Sequence, residues 1–260
     1  KPLSVPALMR KHGLSARKSL GQNFLLDETA LEKVVAAAEI PANATVLEIG
    51  PGLGSLTRHL ARAAAHVVAV ELDADILPAL QEALGDAQNV TVIHGDILQQ
   101  EMASLIDEPG YLVVANIPYY ITSAVIRHLL EAPVKPARLV LTMQKEVAER
   151  ICAKPGDLSL LALSVQVYGS PRPAARIPAG AFYPPPKVDS AVLRVDLYPQ
   201  PRIPEDQLDT FFHLAKLAFA QKRKTLRNTL SAGLRWPPER AAGLLAEAGI
   251  DPMRRAETLS

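Results

Sequence analysis

Glu48-Ile-Gly50-Pro-Gly52-Leu-Gly54, Glu71 and His94-Gly95-Asp96-Ile97 hold residues suited to gripping a nucleoside. Glycines in the first stretch permit positive φ and let a ligand come close to the backbone. A helix starting there would offer its unpaired first N–H groups. Glu71 follows 21 positions after Gly50, where a carboxylate accepts hydrogen bonds from the two hydroxyls of a ribose. A carboxylate at Asp96 is suited to accept from the exocyclic amine of adenine, with Ile97 offering an apolar face to the ring. Each acid alone is equally well a helix cap or a solvated group, and Asp73 and Asp75 show how readily acids occur nearby. Three sites in register are harder to dismiss. The dinucleotide fingerprint Gly-x-Gly-x-x-Gly fails because its sixth position is Ser55, and no lysine sits in the turn to make a Walker phosphate loop. A glycine turn that binds nothing remains the alternative.

The Gly-x-Gly-x-Gly spacing, with an acid two residues before it, is similar to the turn of S-adenosylmethionine-dependent methyltransferases. Asn116-Ile-Pro-Tyr119 then acquires a chemical reading. The exocyclic amine of adenine is a poor nucleophile because its lone pair is delocalised into the ring. Two acceptors that pull its N–H bonds out of plane localise that pair toward a methyl donor. The Asn116 side-chain oxygen and the Ile117 carbonyl are candidates, with Pro118 stiffening the turn. No strong base is required, so catalysis rests on orientation and electrostatics. Extracting a base costs a few kcal/mol, and aromatic stacking returns ~1–3 kcal/mol per base. Tyr119 is the first expected platform and Phe182, in Phe182-Tyr-Pro-Pro-Pro-Lys187-Val-Asp-Ser190, the second. Plain core aromatics are the bland alternative.

These residues need a scaffold that brings strand ends to one edge. Thr45–Ile49 reads as an apolar strand and His66–Val70 as a second, buried one, followed by strands at Val90–Ile93, Tyr111–Ala115 and Arg138–Thr142, alternating with helical patterns. That alternation predicts right-handed crossovers and a mostly parallel sheet. Leu160–Tyr168 and Val188–Leu197 read as β-rich segments joined by a proline-heavy loop, which predicts an antiparallel edge. Only helical patterns follow: Gln207–Phe219, Lys224–Leu230, Pro238–Ala248 and a short segment after Asp251. We therefore expect a domain over residues 1–200, with a basic extension over about 1–24, and a small helical domain over 201–260 packed against it.

The chain has 260 residues, 48% hydrophobic and 21% charged, which excludes a disordered chain. No apolar run approaches the ~18 residues of a membrane span, and the first residues lack the apolar core of a signal peptide. Cys152 stands alone and the six histidines are scattered, so neither a disulfide nor a metal site is expected. A reducing, cytoplasmic compartment and a monomer are the default. The net charge of +1 hides an uneven spread: +5 over residues 1–24, −7 over 25–200 and +3 over 201–260. Basic ends around an acidic middle suit a polyanion. Lys222, Arg223, Lys224 and Arg227, with Arg10, Lys11, Arg17 and Lys18, are the candidate phosphate contacts, against the alternative of solvated charge.

With Gly21-Gln-Asn-Phe-Leu25 added, nearly the whole chain resembles the bacterial small-subunit (16S) rRNA adenine N6,N6-dimethyltransferases, whose loss gives kasugamycin resistance. The motifs in the family's order are that run, the glycine turn, Asn116–Tyr119, Gln144–Arg150, the Phe182–Ser190 loop and Lys222–Asn228. The resemblance implies a Rossmann-like class I methyltransferase sheet with a helical rRNA-binding domain, and S-adenosyl-L-methionine as cofactor. It implies that Asn23 and Leu25 contact the cofactor, Gly50 its methionine part, Glu71 its ribose and Asp96 its adenine, with Asn116 between cofactor and target. It further implies dimethylation of two adjacent adenosines near the 3′ end of small-subunit rRNA, on the rRNA or the immature 30S particle. Ile117 departs from the leucine of many members and is shared with methyltransferases of large-subunit rRNA. The small-subunit assignment therefore leans on Lys187–Ser190 and Lys222–Asn228. Other readings are a non-catalytic assembly or transcription factor of the same fold, a large-subunit enzyme, and a DNA-adenine or protein-glutamine methyltransferase.

Overall fold

The computed structural model describes residues 3–259. Lys1, counted above in the basic extension, lies outside the described residues. The chain opens with α1 (Val5–Lys11), β1 (Phe24–Leu25), α2 (Glu28–Ala38), β2 (Thr45–Ile49) and α3 (Ser55–Ala63). It continues through β3 (His66–Glu71), α4 (Leu77–Leu84), β4 (Val90–His94), α5 (Met102–Leu105), β5 (Leu112–Asn116) and α6 (Thr122–Glu131). Next come β6 (Arg138–Gln144), α7 (Lys145–Ile151), α8 (Leu160–Gln166), β7 (Gly169–Ile177), β8 (Phe182–Tyr183) and β9 (Ser190–Leu197). The last helices are α9 (Leu208–Ala218), α10 (Leu226–Leu234) and α11 (Pro238–Glu247).

Seven strands form one sheet in the order β4-β3-β2-β5-β6-β9-β7. The pairs β2/β3, β3/β4, β2/β5 and β5/β6 are parallel and β6/β9 is antiparallel. The central strands read as apolar runs because a parallel sheet is covered on both faces; Val67–Glu71 and Leu112–Ala115 are buried throughout. Strand order reverses between β2 and β5, and open sheets of this type bind ligands beyond the carboxyl ends at that point. Gly50, Asn116 and Asp96 follow or close the carboxyl ends of β2, β5 and β4, and Glu71 closes β3. The strand ends are therefore assembled as the sequence predicts.

One expectation fails locally. Leu160–Gln166 is a helix, not a strand, begun by Ser159, whose Oγ accepts from the Ala162 N–H at 3.2 Å. Leu and Ala favour that choice once the cap is present. The strand lies one step later, as β7, inside the segment expected to be a proline-heavy loop. Pro171 and Pro173 are tolerated there because β7 is an edge strand.

By compactness the chain forms two units. One holds the residues up to Ala148 with Ser170–Leu197, and the other holds Glu149–Gly169 with the residues from Tyr198 onward. In the first, Leu31, Val34, Leu60, Val114 and Val192 meet in a core between α2, α3 and the sheet. A second cluster joins Val5, Leu8 and Met9 of α1 with Phe24, Leu53, Ile76 and Leu80, docking the N-terminal segment on α4. The helical unit has its own core of Leu226, Leu230, Ala241, Leu245 and Ala256.

Candidate active site

β2 ends at Ile49 and the chain turns through Gly50 at φ +68, a conformation that disfavours any side chain. A Cβ built on Gly50 would meet nothing within 4 Å, so its backbone is open to a ligand. Glu71 holds the turn from the neighbouring strand. Its Oε2 accepts from the Gly52 N–H at 2.9 Å and its Oε1 from the Asp73 N–H at 2.8 Å. Burial pushes the Glu71 carboxyl up and the Asp73 charge adds to it, opposed by the backbone N–H groups of Asp73, Gly52 and Leu72.

Glu48 is the residue that sequence reasoning treats only as the acid heading the turn. It is 1% exposed and its Oε2 has no hydrogen-bond partner. Burial pushes its carboxyl up to about 8; the Thr57 hydroxyl opposes this and the Glu71 charge adds to it. A buried polar atom left without a partner is uncommon enough to require a reason. Asp96 is half-buried, and its Oδ1 accepts from the Leu98 N–H at 3.0 Å, capping a short turn. Its bland role is thus real, and its remaining acceptor capacity faces no strong donor: Gln99 Nε2 lies 3.4 Å from Oδ2.

Asn116 closes β5. Its Nδ2 donates to the Asn23 carbonyl at 3.0 Å, which fixes the amide and leaves Oδ1 as the unspent acceptor. Ile117 is buried and its N–H donates to the Thr142 carbonyl at 3.2 Å, fixing the peptide that follows β5. The Tyr119 hydroxyl shares a 2.7 Å hydrogen bond with the buried Ser190 Oγ. Burial raises the Tyr119 phenol, partly offset by that bond. Asn23, Leu25, Glu48, Gly50, Glu71, Asp96, Asn116 and Tyr119 all line one cleft, which encloses about 1030 Å³ with its open mouth included.

Phe182 is not brought to this cleft, which corrects the expectation of a second stacking platform there. It pairs with Leu25 across β1/β8 and is 4% exposed, inside the core with Val114 and Val192. Successive residues of a strand face opposite ways; here Phe182 turns inward and Tyr183, 43% exposed, outward.

One wall of the cleft is the N-terminal segment Leu20–Leu25. Arg17 Nη1 donates to Asp73 Oδ1 at 2.8 Å, Gln22 Nε2 donates to Asp73 Oδ2 at 2.8 Å, and Arg17 also pairs with Asp75. Lys11 and His12 both reach Glu82 on α4, at 2.6 and 2.8 Å. Lys11 and Arg17 each pair with acids of the same unit, and both remain exposed, as are Arg10 and Lys18. Asp73 and Asp75, set aside as chance acids, are what anchors the wall.

Lys222, Arg223 and Lys224 are exposed in the turn before α10 rather than on it, and Arg227 is the second residue of that helix. Cations at a helix N-terminus are disfavoured by its dipole, so stability alone gives no reason for them there. Among the described residues no group of His, Cys, Asp and Glu is placed to hold a metal, and no helix is long and apolar enough to cross a membrane.

Residues 13–260 match the family model for ribosomal RNA adenine dimethylase. The chain is 48% identical over 255 residues to ribosomal RNA small subunit methyltransferase A of Dehalococcoides mccartyi (strain CBDB1), covering 97% of this chain and 87% of the relative. It is 43% identical to the protein of the same name from Pelotomaculum thermopropionicum, covering 100% and 92%. Among solved structures it resembles a dimethyladenosine transferase from Plasmodium falciparum, with TM-score 0.76, 25% identity and coverage of 91% and 93%. It also resembles the 23S rRNA methyltransferase ErmE, with TM-score 0.73, 30% identity and coverage of 92% and 95%. Sequence and backbone agree along nearly the full length: the chain belongs to the ribosomal RNA adenine dimethylase family.

Proposed function

We propose that this chain transfers methyl groups from S-adenosyl-L-methionine to the N6 atoms of two adjacent adenosines near the 3′ end of small-subunit rRNA. It does so as a cytoplasmic monomer acting on the rRNA or the immature 30S particle. The observation that carries the reading is Asn116: a side-chain amide fixed by Asn23, with its oxygen unspent, in a cleft rimmed by carboxylates.

The cleft suits this cofactor chemically. Glu48 Oε2 is a buried acceptor without a donor, matched by an ammonium. The Glu71 carboxylate, held by backbone donors at the cleft wall, is matched by a ribose diol, and Asp96 can accept from an amine. Asn23 and Leu25 close the wall, and the open backbone at Gly50 admits the methionine part. Bound there, the cofactor supplies an electrophilic methyl on a sulfonium. The protein's own work is on the target base. Asn116 Oδ1 and the Ile117 carbonyl accept the two N6 hydrogens and turn the lone pair out of the ring. Tyr119 lies against the base, its orientation held by Ser190. The amine releases its proton to water after the methyl arrives, so no side chain is required as base. Each acceptor of this kind is worth ~10²–10³ in rate. Lys222, Arg223, Lys224 and Arg227 contact phosphates, which position the RNA without choosing the base; the base is selected by shape and extrusion.

A mass-spectrometric map of rRNA treated with the protein and cofactor tests the reading. Two adjacent dimethyladenosines near the small-subunit 3′ end are expected. Methylation confined to large-subunit rRNA, or binding without transfer, would replace this reading with one of its rivals.

A further inference from the structure

Tyr120 lines the cleft and has no part in the chemistry above. It follows Tyr119 on the 3-10 turn Tyr119–Ile121, where successive side chains are rotated by about 120°. Tyr119 turns in to meet Ser190, and Tyr120 remains 60% exposed. The ring is nonetheless seated. A Cβ built on Gly21 would lie 3.2 Å from Cδ1 and 3.3 Å from Cε1 of Tyr120. Gly21 also has φ +62, so backbone conformation and ring seat both favour glycine. Tyr120 is thus an aromatic packed over Gly21 with most of its surface open to solvent, at a cleft whose interior suits adenine. With Phe182 buried in the core, it is the aromatic lining residue that offers most surface to solvent.

We propose that Tyr120 stacks on the base next to the adenosine being methylated, so that consecutive tyrosines serve consecutive nucleotides. Tyr119 and Asn116 handle the extruded adenine, and Tyr120 holds its neighbour in register outside the cleft. A nucleobase is the ligand indicated because a flat, uncharged ring at the mouth of a nucleoside cleft recognises another flat ring, and stacking needs no sequence-specific hydrogen bond. The inference rests on the proposed function and names a substrate-positioning residue for it.

The test is steady-state methylation of immature small subunits with tritiated cofactor, beside calorimetric titration of the cofactor alone. Tyr120→Ala is expected to raise KM for the particle at least about five-fold, with kcat within two-fold and cofactor affinity unchanged. Tyr120→Phe is expected to restore KM, since stacking needs the ring and not the hydroxyl. Unchanged KM in Tyr120→Ala, a matching loss of cofactor affinity, or failure of Tyr120→Phe to restore KM would each overturn the inference while wild-type protein still methylates. Wild-type protein that methylates nothing would overturn the proposed function as well. Because the side chain is mostly exposed, a melting curve close to wild type is expected for both variants.

Discussion

Glu48 shows how much the site depends on single side chains. Its carboxyl is neutral up to about pH 8 because burial penalises the charge. The sign of the linkage follows. The folded value lies above the unfolded one, so the stabilisation is complete below about 4.5 and is lost as pH rises through about 8. We expect the melting temperature of wild-type protein to fall between about pH 5 and 8, and that of Glu48→Gln to fall less; calorimetric scans across that range check it. A cation beside Glu48 favours the ionised form, so cofactor affinity should rise over the same window and release a proton, which Glu48→Gln abolishes. Titrations in buffers of different ionisation heat read that proton. That Asn116, Glu71 and Asp96 share one cleft was legible because they stand at strand ends, where topology fixes position. The burial of Glu48 was not, because a motif names a residue without saying what surrounds it. Phe182 failed for a related reason: motif order places the loop, but strand register decides which ring is buried in the core and which is exposed.

Among the elements, the N-terminal segment contributes most beyond the sheet. Burying Val5, Leu8 and Met9 stabilises its docking by ~1.5–3 kcal/mol per side chain. Exposed pairs such as Lys11–Glu82 contribute ~0–1 kcal/mol. Apolar contact therefore holds the segment, and the Arg17 and Gln22 bonds to Asp73 set where Leu20–Leu25 stand. Arg17→Ala should weaken cofactor binding three- to ten-fold while kcat at saturating cofactor and the melting temperature stay near wild type. Titration calorimetry and a saturation curve separate these outcomes, and a loss of kcat instead would place Arg17 in the chemistry. The same ranking explains what could be read in advance. The parallel strands were visible as short β-rich runs alternating with helical patterns. Leu160–Gln166 was not, since a short apolar run fits helix or strand equally and the Ser159 cap decides it. The wall anchored by Asp73 was hidden because Arg17 and Asp73 are 56 positions apart.

For the whole molecule, charge is the organising quantity. The segment over residues 1–24 carries +5, yet Lys11 and Arg17 spend theirs on acids of the same unit. The cluster before α10 is exposed. RNA affinity should therefore depend on Lys222 and Arg223 more than on the N-terminal segment. Lys222→Glu with Arg223→Glu is expected to weaken RNA binding and lower the slope of log affinity against log salt by about 1–2; filter binding at several ionic strengths measures it. An unchanged slope would remove those residues from the interface. In the proposed mechanism all of this serves one event, the presentation of an adenine amine to the oxygens of Asn116 and Ile117. Single-turnover methyl transfer by Asn116→Ala, with cofactor affinity measured in parallel, examines that event most directly. We expect transfer to fall by ~10²–10³ with cofactor affinity within a few-fold of wild type; transfer near the wild-type rate would show that the oxygen of Asn116 is not what activates the base.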